Sequence, residues 1–240
     1  MNMEFPPAEN PESEVQNSES APKSKSTSAF NEDAALALLK NPHVTAEALA
    51  QLAKNPGTSK SHKVMVALAS HPRTPRHVSI PLLRSMFTFD LMQMALATAV
   101  SPDVKRAAEE QILMRLESIP VGQKITLARR ASGRVAAGLL QTSDRRVIAP
   151  ALDNKRLTQA LVVQAIMKPH APEILFESVS GHSAWSLCRE VQIALLRSEN
   201  TPLERAQEMA KNFSRNFLLE ILPDARRSAL IPNPEAADPK

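Results

Sequence analysis

Apolar residues come in short runs that close on a proline and reopen past a hydroxyl-bearing residue. Between Leu36 and Pro75 this happens three times, at Leu39-Lys40-Asn41-Pro42, Leu52-Ala53-Lys54-Asn55-Pro56 and Leu68-Ala69-Ser70-His71-Pro72. Each run is rich in Ala and Leu, strong helix formers that suit strands poorly, and reads as a short apolar helix. The residue before a proline is disfavoured in the α region, so each run must end at its Asn-Pro or His-Pro. The pattern predicts helices over about 34–40, 46–54 and 61–70. Asn31 and Thr45 are expected to cap the first two, with Glu32 and Asp33 favouring the first helix dipole. Thr74-Pro75 reads as a cap followed by proline in the first helical position. Thr201-Pro202-Leu203-Glu204 reads as a capping box. Ser101, Ser132, Ser143 or Asp144, and Thr158 mark further helix starts.

The punctuation is periodic. Pro42 to Pro56 is 14 residues, Pro56 to Pro72 is 16, and both Pro72 to Pro102 and Pro172 to Pro202 are 30. One unit is a short helix and a corner, and two units make a helical pair. A lone short helix cannot bury its apolar face, whereas stacked neighbours cover one another. The expected fold is therefore all-α, an α-solenoid of about a dozen short stacked helices with essentially no strand.

The string L-A-x-N-P-x-T, alternating with short apolar helices, resembles the leucine-rich repeat variant family and, more broadly, bacterial HEAT-like helical repeats. The likeness is clearest over residues 36–104. The segment from Leu127 through Ala128-Arg129-Arg130-Ala131-Ser132-Gly133-Arg134 to Leu195 also resembles the C-terminal part of uncharacterised bacterial proteins of this kind. The resemblance implies a right-handed superhelix and a binding role without catalysis. Some members hold an iron–sulfur cluster on N-terminal cysteines; Cys188 is the one cysteine here and lies far from the N-terminus, so that feature does not carry over.

Composition agrees with closely packed helices. The chain has 240 residues, 43% hydrophobic but only 3% aromatic, with 5 Gly and 19 Pro. One cysteine permits no intramolecular disulfide and no cysteine metal cluster, which fits a cytoplasmic protein. No secretory signal and no membrane-spanning window is apparent. Residues 1–30 are rich in Pro, Glu, Ser and Asn and are expected to be a disordered acidic tail, as is the short tail 231–240. The helical-repeat domain is placed at 31–230, where residues 34–230 hold 16 acids against 26 bases, a net of +10.

A search for chemistry yields no catalytic set. Gly122-Gln123-Lys124-Ile125-Thr126 echoes a phosphate loop but lacks its first glycine and its Gly-Lys-Thr order. Gly133 and Gly138 read as small residues where helices approach closely. The histidines His43, His62, His71, His77, His170 and His182 show no metal-ligand spacing, and His43 and His71 read as exposed corner residues. Cys188 falls on the stripe Ala184, Leu187, Cys188, Val191, Ala194, Leu195 and reads as a small core residue. Trp185 reads as a wedge between helices. Glu173 and Glu177 read as a solvated helix face. No cofactor and no metal is expected.

The bases carry the strongest signal. Lys124, Arg129, Arg130, Arg134, Arg145, Arg146, Lys155 and Arg156 fall within 33 residues, with only Asp144 and Asp153 as acids between them. If successive helices stack, such bases form a positive stripe. The function expected from these features is a non-catalytic scaffold for protein–protein interaction, not an enzyme. The alternative is binding of nucleic acid or another polyanion through the basic face around 124–156. A helical-repeat glycosylase for alkylated bases shares the length and basic charge, but the aromatic residues that would cradle a base are missing.

Overall fold

In the computed structural model, which describes residues 31–231, the chain is all helical. The tails expected at 1–30 and 232–240 lie outside the described residues. In the N-terminal part, α1 (Glu32–Leu39), α2 (Ala46–Lys54), α3 (Pro56–Lys60), α4 (His62–Ser70), α5 (Arg76–Leu83) and α6 (Thr88–Leu96) follow in close succession. The middle holds α7 (Pro102–Met114), α8 (Val121–Arg130), α9 (Gly133–Leu139), α10 (Arg145–Leu152), α11 (Gln159–Ile166) and α12 (Glu173–Ser180). The chain closes with α13 (Arg189–Arg197), α14 (Leu203–Ala210), α15 (Arg215–Ile221) and α16 (Asp224–Leu230). The sixteen α-helices among the described residues exceed the expected dozen. The surplus comes from very short helices such as α3, a single five-residue turn beginning at Pro56.

Helix starts fall where hydroxyl, amide and carboxylate side chains predict them. Asn31, Thr45, Ser61, Ser132 and Asp144 each accept a backbone N–H of the first turn that follows, satisfying donors that a helix cannot satisfy itself. Two expected caps act differently. Thr74 and Thr201 do not cap the helices after them; Pro75 and Pro202 hold those cap positions, with no side-chain bond. Their hydroxyls turn inward instead. Thr74 Oγ1 donates to the Leu68 carbonyl at 2.6 Å, and Thr201 Oγ1 to the Leu195 carbonyl at 2.6 Å. Thr58 Oγ1 does the same to the Leu52 carbonyl at 2.5 Å. All three threonines are buried. The repeated Leu-x5-Thr spacing therefore finishes the preceding helix by satisfying a terminal carbonyl.

Alternate helices pack side by side. One set runs α5, α7, α9, α11, α13; another runs α8, α10, α12; consecutive helices such as α8 and α9 join the two. Directions follow from contacts at both helix ends. A Cβ on Gly133, at the start of α9, would meet Leu161 near the start of α11, while Gln141, just past α9, donates to the Ala165 carbonyl near the end of α11 at 3.0 Å. The two helices are thus parallel. The buried side chains merge into one aliphatic core from Ala69 to Ile231, with Phe176 the sole fully buried aromatic ring among the described residues.

A second device recurs at the corners. A polar side chain donates to a backbone carbonyl of the corner about two helices earlier. Arg115 Nη1 reaches the Met86 carbonyl at 2.8 Å, and Asn154 Nδ2 reaches the Ala128 and Ala131 carbonyls at 2.7 and 3.1 Å. Trp185 Nε1 reaches the Leu152 carbonyl at 2.8 Å, and Arg226 Nη2 the Thr201 carbonyl at 2.8 Å. His71 Nε2 lies 3.3 Å from the Asn41 carbonyl and is buried, not exposed as the corner position suggested; its Nδ1 accepts the Arg73 N–H. These bonds tie each helical pair to the next and satisfy carbonyls that end a helix without an internal partner. Burial pushes the Arg226 guanidinium below its usual pKa, partly offset by the Glu199 charge.

Candidate basic face and apolar groove

The eight bases do not form one stripe; they divide into three groups. α8 and α10 are parallel neighbours, so their ends face the same two directions. At the C-terminal end stand Arg129 and Arg130 in the last turn of α8, with Lys155 and Arg156 just beyond α10. Arg156 Nη1 donates to the Arg130 carbonyl at 3.4 Å. Asn154, bonded to two α8 carbonyls and accepting the Arg156 N–H at 2.8 Å, fixes the corner that carries Lys155 and Arg156. All four bases are exposed. Among the described residues none of them has a carboxylate oxygen within 4.0 Å. Asp153, the acid of this corner, lies 3.2 Å from His182 Nε2 instead.

At the other end stand Lys124, Arg145 and Arg146. Arg146 forks onto Asp144, with Nε 3.1 Å from Oδ1 and Nη2 2.9 Å from Oδ2. Asp144 also accepts the Arg146 backbone N–H, so the Arg146 bonds hold its carboxyl below the usual aspartate range, with the nearby Lys124 charge adding to them. The same bond raises the Arg146 guanidinium. Arg145 opens onto a shallow hollow shared with Glu177 and His182. At this end one base, Arg146, is paired with a carboxylate, whereas among the described residues no base of the first end is.

Arg134 belongs to a third place. It sits in the first turn of α9, 3.8 Å from Glu109 of α7, at one end of a groove between α7, α9 and α11. The groove encloses about 390 Å³. Leu113, Leu116, Ala137, Gly138, Leu161 and Ala165 form its floor, with Gln141, Gln164 and Lys168 around it. Gly138 makes the close approach of α7 and α9 possible, because a Cβ there would lie 2.2 Å from Leu113 Cδ2. Gly133 plays the same part between α9 and the corner after α10, where a Cβ would lie 2.1 Å from the Arg156 carbonyl oxygen. The small-residue reading of both glycines agrees with this packing. The groove itself escaped the sequence; its signal was small residues at facing positions of alternate helices, which one chain does not reveal without the register.

The remaining candidates fall into packing roles. Trp185 is half-buried and tied to the Leu152 carbonyl. The stripe through Cys188 is not one helix. A 3₁₀ turn at Trp185–Leu187 ends there, α13 begins at Arg189, and Leu187 is 78% exposed. Cys188 therefore sits half-buried at the core margin, its thiol donating to the Ala184 carbonyl at 3.5 Å. Glu173 and Glu177 are exposed. Among the described residues no group of three or more His, Cys, Asp or Glu side chains is placed to hold a metal ion. No helix among them is long and apolar enough to cross a membrane.

Compared with family models, curated proteins and solved structures, the chain finds no match in any of the three.

Proposed function

We propose that the chain is a non-catalytic helical-repeat scaffold, an α-solenoid with the right-handed superhelix implied by its resemblance to leucine-rich repeat variant and HEAT-like proteins. It binds a peptide segment of another protein in the groove between α7, α9 and α11. The single observation that carries this reading is the groove's make-up: a hollow of about 390 Å³ with an apolar floor, Lys168 at one end and, at the other, Arg134, which also faces Glu109 at 3.8 Å. Arg134 lies at the start of parallel α9, and Lys168 lies past the end of α11. About seven residues of helix at 1.5 Å each set the two roughly 10 Å apart along the groove. A segment with an apolar side chain between two acidic residues is complementary to that arrangement, the apolar group supplying affinity and the acids orientation. The alternating, parallel helix sets support the solenoid, and a cytoplasmic setting accords with the single cysteine.

The test places a benzophenone-bearing residue at Gln164 and, as control, at exposed Lys63. Crosslinking in cells is expected to capture one segment at Gln164 that is not captured at Lys63. A synthetic peptide of that segment should carry an acidic–apolar–acidic pattern and bind Lys168→Glu at least about tenfold more weakly than wild type, a loss of about 1.4 kcal/mol. Equal binding to both proteins, or the same products at both positions, overturns the reading.

A further inference from the structure

The four bases at the C-terminal ends of α8 and α10 have no role in the groove. We propose that Arg129, Arg130, Lys155 and Arg156 form a binding surface for the phosphodiester backbone of a double-stranded nucleic acid.

Three observations carry this. First, the four are brought together by built structure. They come from two corners separated by more than twenty residues, and Asn154 and Arg156 lock those corners through bonds to the Ala128, Ala131 and Arg130 carbonyls. The charges are thus held on short, pinned backbone, which lowers the cost of ordering them on a ligand. Second, among the described residues no carboxylate lies within 4.0 Å of them, whereas Arg76, Arg134, Arg146, Arg205 and Arg227 each face one. A helix C-terminus favours cations and accounts for Arg129 and Arg130 singly. It does not account for four like charges gathered in one place, an arrangement that an anion relieves. Guanidinium forks match phosphate oxygens two at a time.

Third, the surroundings select among anions. A protein partner is anchored by apolar or aromatic groups at the centre of its contact. None of the exposed large hydrophobic residues belongs to the corners 129–134 or 153–160; Val121, the one on α8, lies at its opposite end. Single strands are held by aromatic stacking, and no aromatic residue occurs between Lys124 and Arg156. Phe176, the next aromatic residue along the chain, is buried, and Trp185 beyond it is half-buried with its N–H engaged by the Leu152 carbonyl. What is left is contact with a regular array of phosphates, in either a DNA or an RNA duplex.

The experiment is fluorescence anisotropy of the full chain with duplex DNA and duplex RNA of about 20 base pairs, an oligo-dT strand and polyglutamate, across salt from about 50 to 200 mM. Wild type should bind both duplexes with a log–log salt slope of about −3 to −4, four contacts at about −0.9 each. Arg129→Gln/Arg130→Gln/Lys155→Gln/Arg156→Gln should lose at least about tenfold at low salt. The charge-matched control Lys40→Gln/Lys54→Gln/Lys60→Gln/Lys63→Gln, on exposed lysines far along the chain, should lose less than about twofold. Should the fourfold variant lose helical circular dichroism, Arg129→Gln/Lys155→Gln decides, since among the described residues neither side chain makes a hydrogen bond; its slope should be shallower by about 2. No duplex binding at low salt, equal losses in variant and control, or tighter binding of polyglutamate or oligo-dT than of either duplex overturns the proposal. Because the groove residues are untouched, these outcomes are independent of the peptide reading.

Discussion

The proline-marked stretch 42–75 and the basic stretch 124–156 solve the same structural problem with different groups. Each must stop a helix, satisfy its last carbonyls and join one helical pair to the next. In the first, prolines stop the chain, threonine hydroxyls bond the carbonyl six residues back, and His71 and Arg73 reach back to the Asn41 and His43 carbonyls. In the second, no proline follows the C-terminal end of α8 or α9; buried Asn154 does the stitching, and Gly133 gives up its side chain so that the Arg156 carbonyl can approach. The difference lies in where the polar groups point. In the first stretch Thr58, His71 and Thr74 are turned onto backbone and buried. In the second, one buried amide leaves the neighbouring bases free to face water. A corner held from within by buried Asn154, with Arg156 adding one exposed bond to the Arg130 carbonyl, can carry Lys155 and Arg156 at its surface.

The contrast is broken most strongly at Asn154. Asn154→Leu removes three hydrogen bonds at a site 4% exposed and leaves the Ala128 and Ala131 carbonyls short of a partner. At roughly 1 kcal/mol per bond the expected loss is about 3 kcal/mol, read as a lower midpoint in urea with unchanged m-value. Duplex affinity should fall with it, because the corner that carries Lys155 and Arg156 is no longer fixed. Lys155→Gln, by contrast, should leave stability within about 0.5 kcal/mol. A mild effect of Asn154→Leu would mean that the second stretch is held by packing and not by its amide.

Thr74→Val tests the other side of the comparison. The shape is kept and one hydroxyl is lost. The Leu68 carbonyl retains a bond from the His71 N–H at 3.3 Å, so the expected cost is about 1 kcal/mol. Were Thr74 an N-cap, Thr74→Ser would restore stability fully by keeping the acceptor. For a hydroxyl wedged inward, serine should recover only part, since the buried methyl is still missing. Denaturation midpoints for the two variants separate these roles.

How much of this was legible in the sequence follows from the range of each signal. Helix stops and most starts are local: Asn41-Pro42, Thr45 and Ser132 act within three residues, so the chain shows them directly. The direction in which Thr74 and Thr201 act was not legible, because a hydroxyl beside a proline fits a cap on either side, and only burial against the Leu68 or Leu195 carbonyl decides. The break at Cys188 was hidden because apolar spacing continues across the 3₁₀ turn. The bases were visible as a cluster but not as groups; Arg134 leaves them because α9 turns it toward Glu109. The stitches, by contrast, lie 23 to 33 residues apart, and pairing them needs the stacking register that no single stretch contains.

The smallest effect sharpens the charge contrast within the basic stretch itself. Asp144 caps α10 and grips Arg146, and its carboxyl is held below its ordinary value. A carboxyl depressed in the folded state contributes stability that is fully present above its unfolded pKa of about 3.9 and is lost as pH falls through the lower, folded value. Wild type should therefore lose this part of its stability only below about pH 4. Asp144→Asn replaces the capping carboxylate oxygen with an amide oxygen and removes the titration, so its stability below that point should depend less steeply on pH while its urea midpoint near neutrality falls slightly. The site is solvent-exposed and salt screens it, so the difference should shrink as ionic strength rises. No comparable change should accompany Lys155→Gln or Arg129→Gln, whose charges have no acid to lose. If those variants show the same acid sensitivity as Asp144→Asn, the two ends of α8 and α10 are electrostatically alike and the contrast between them fails.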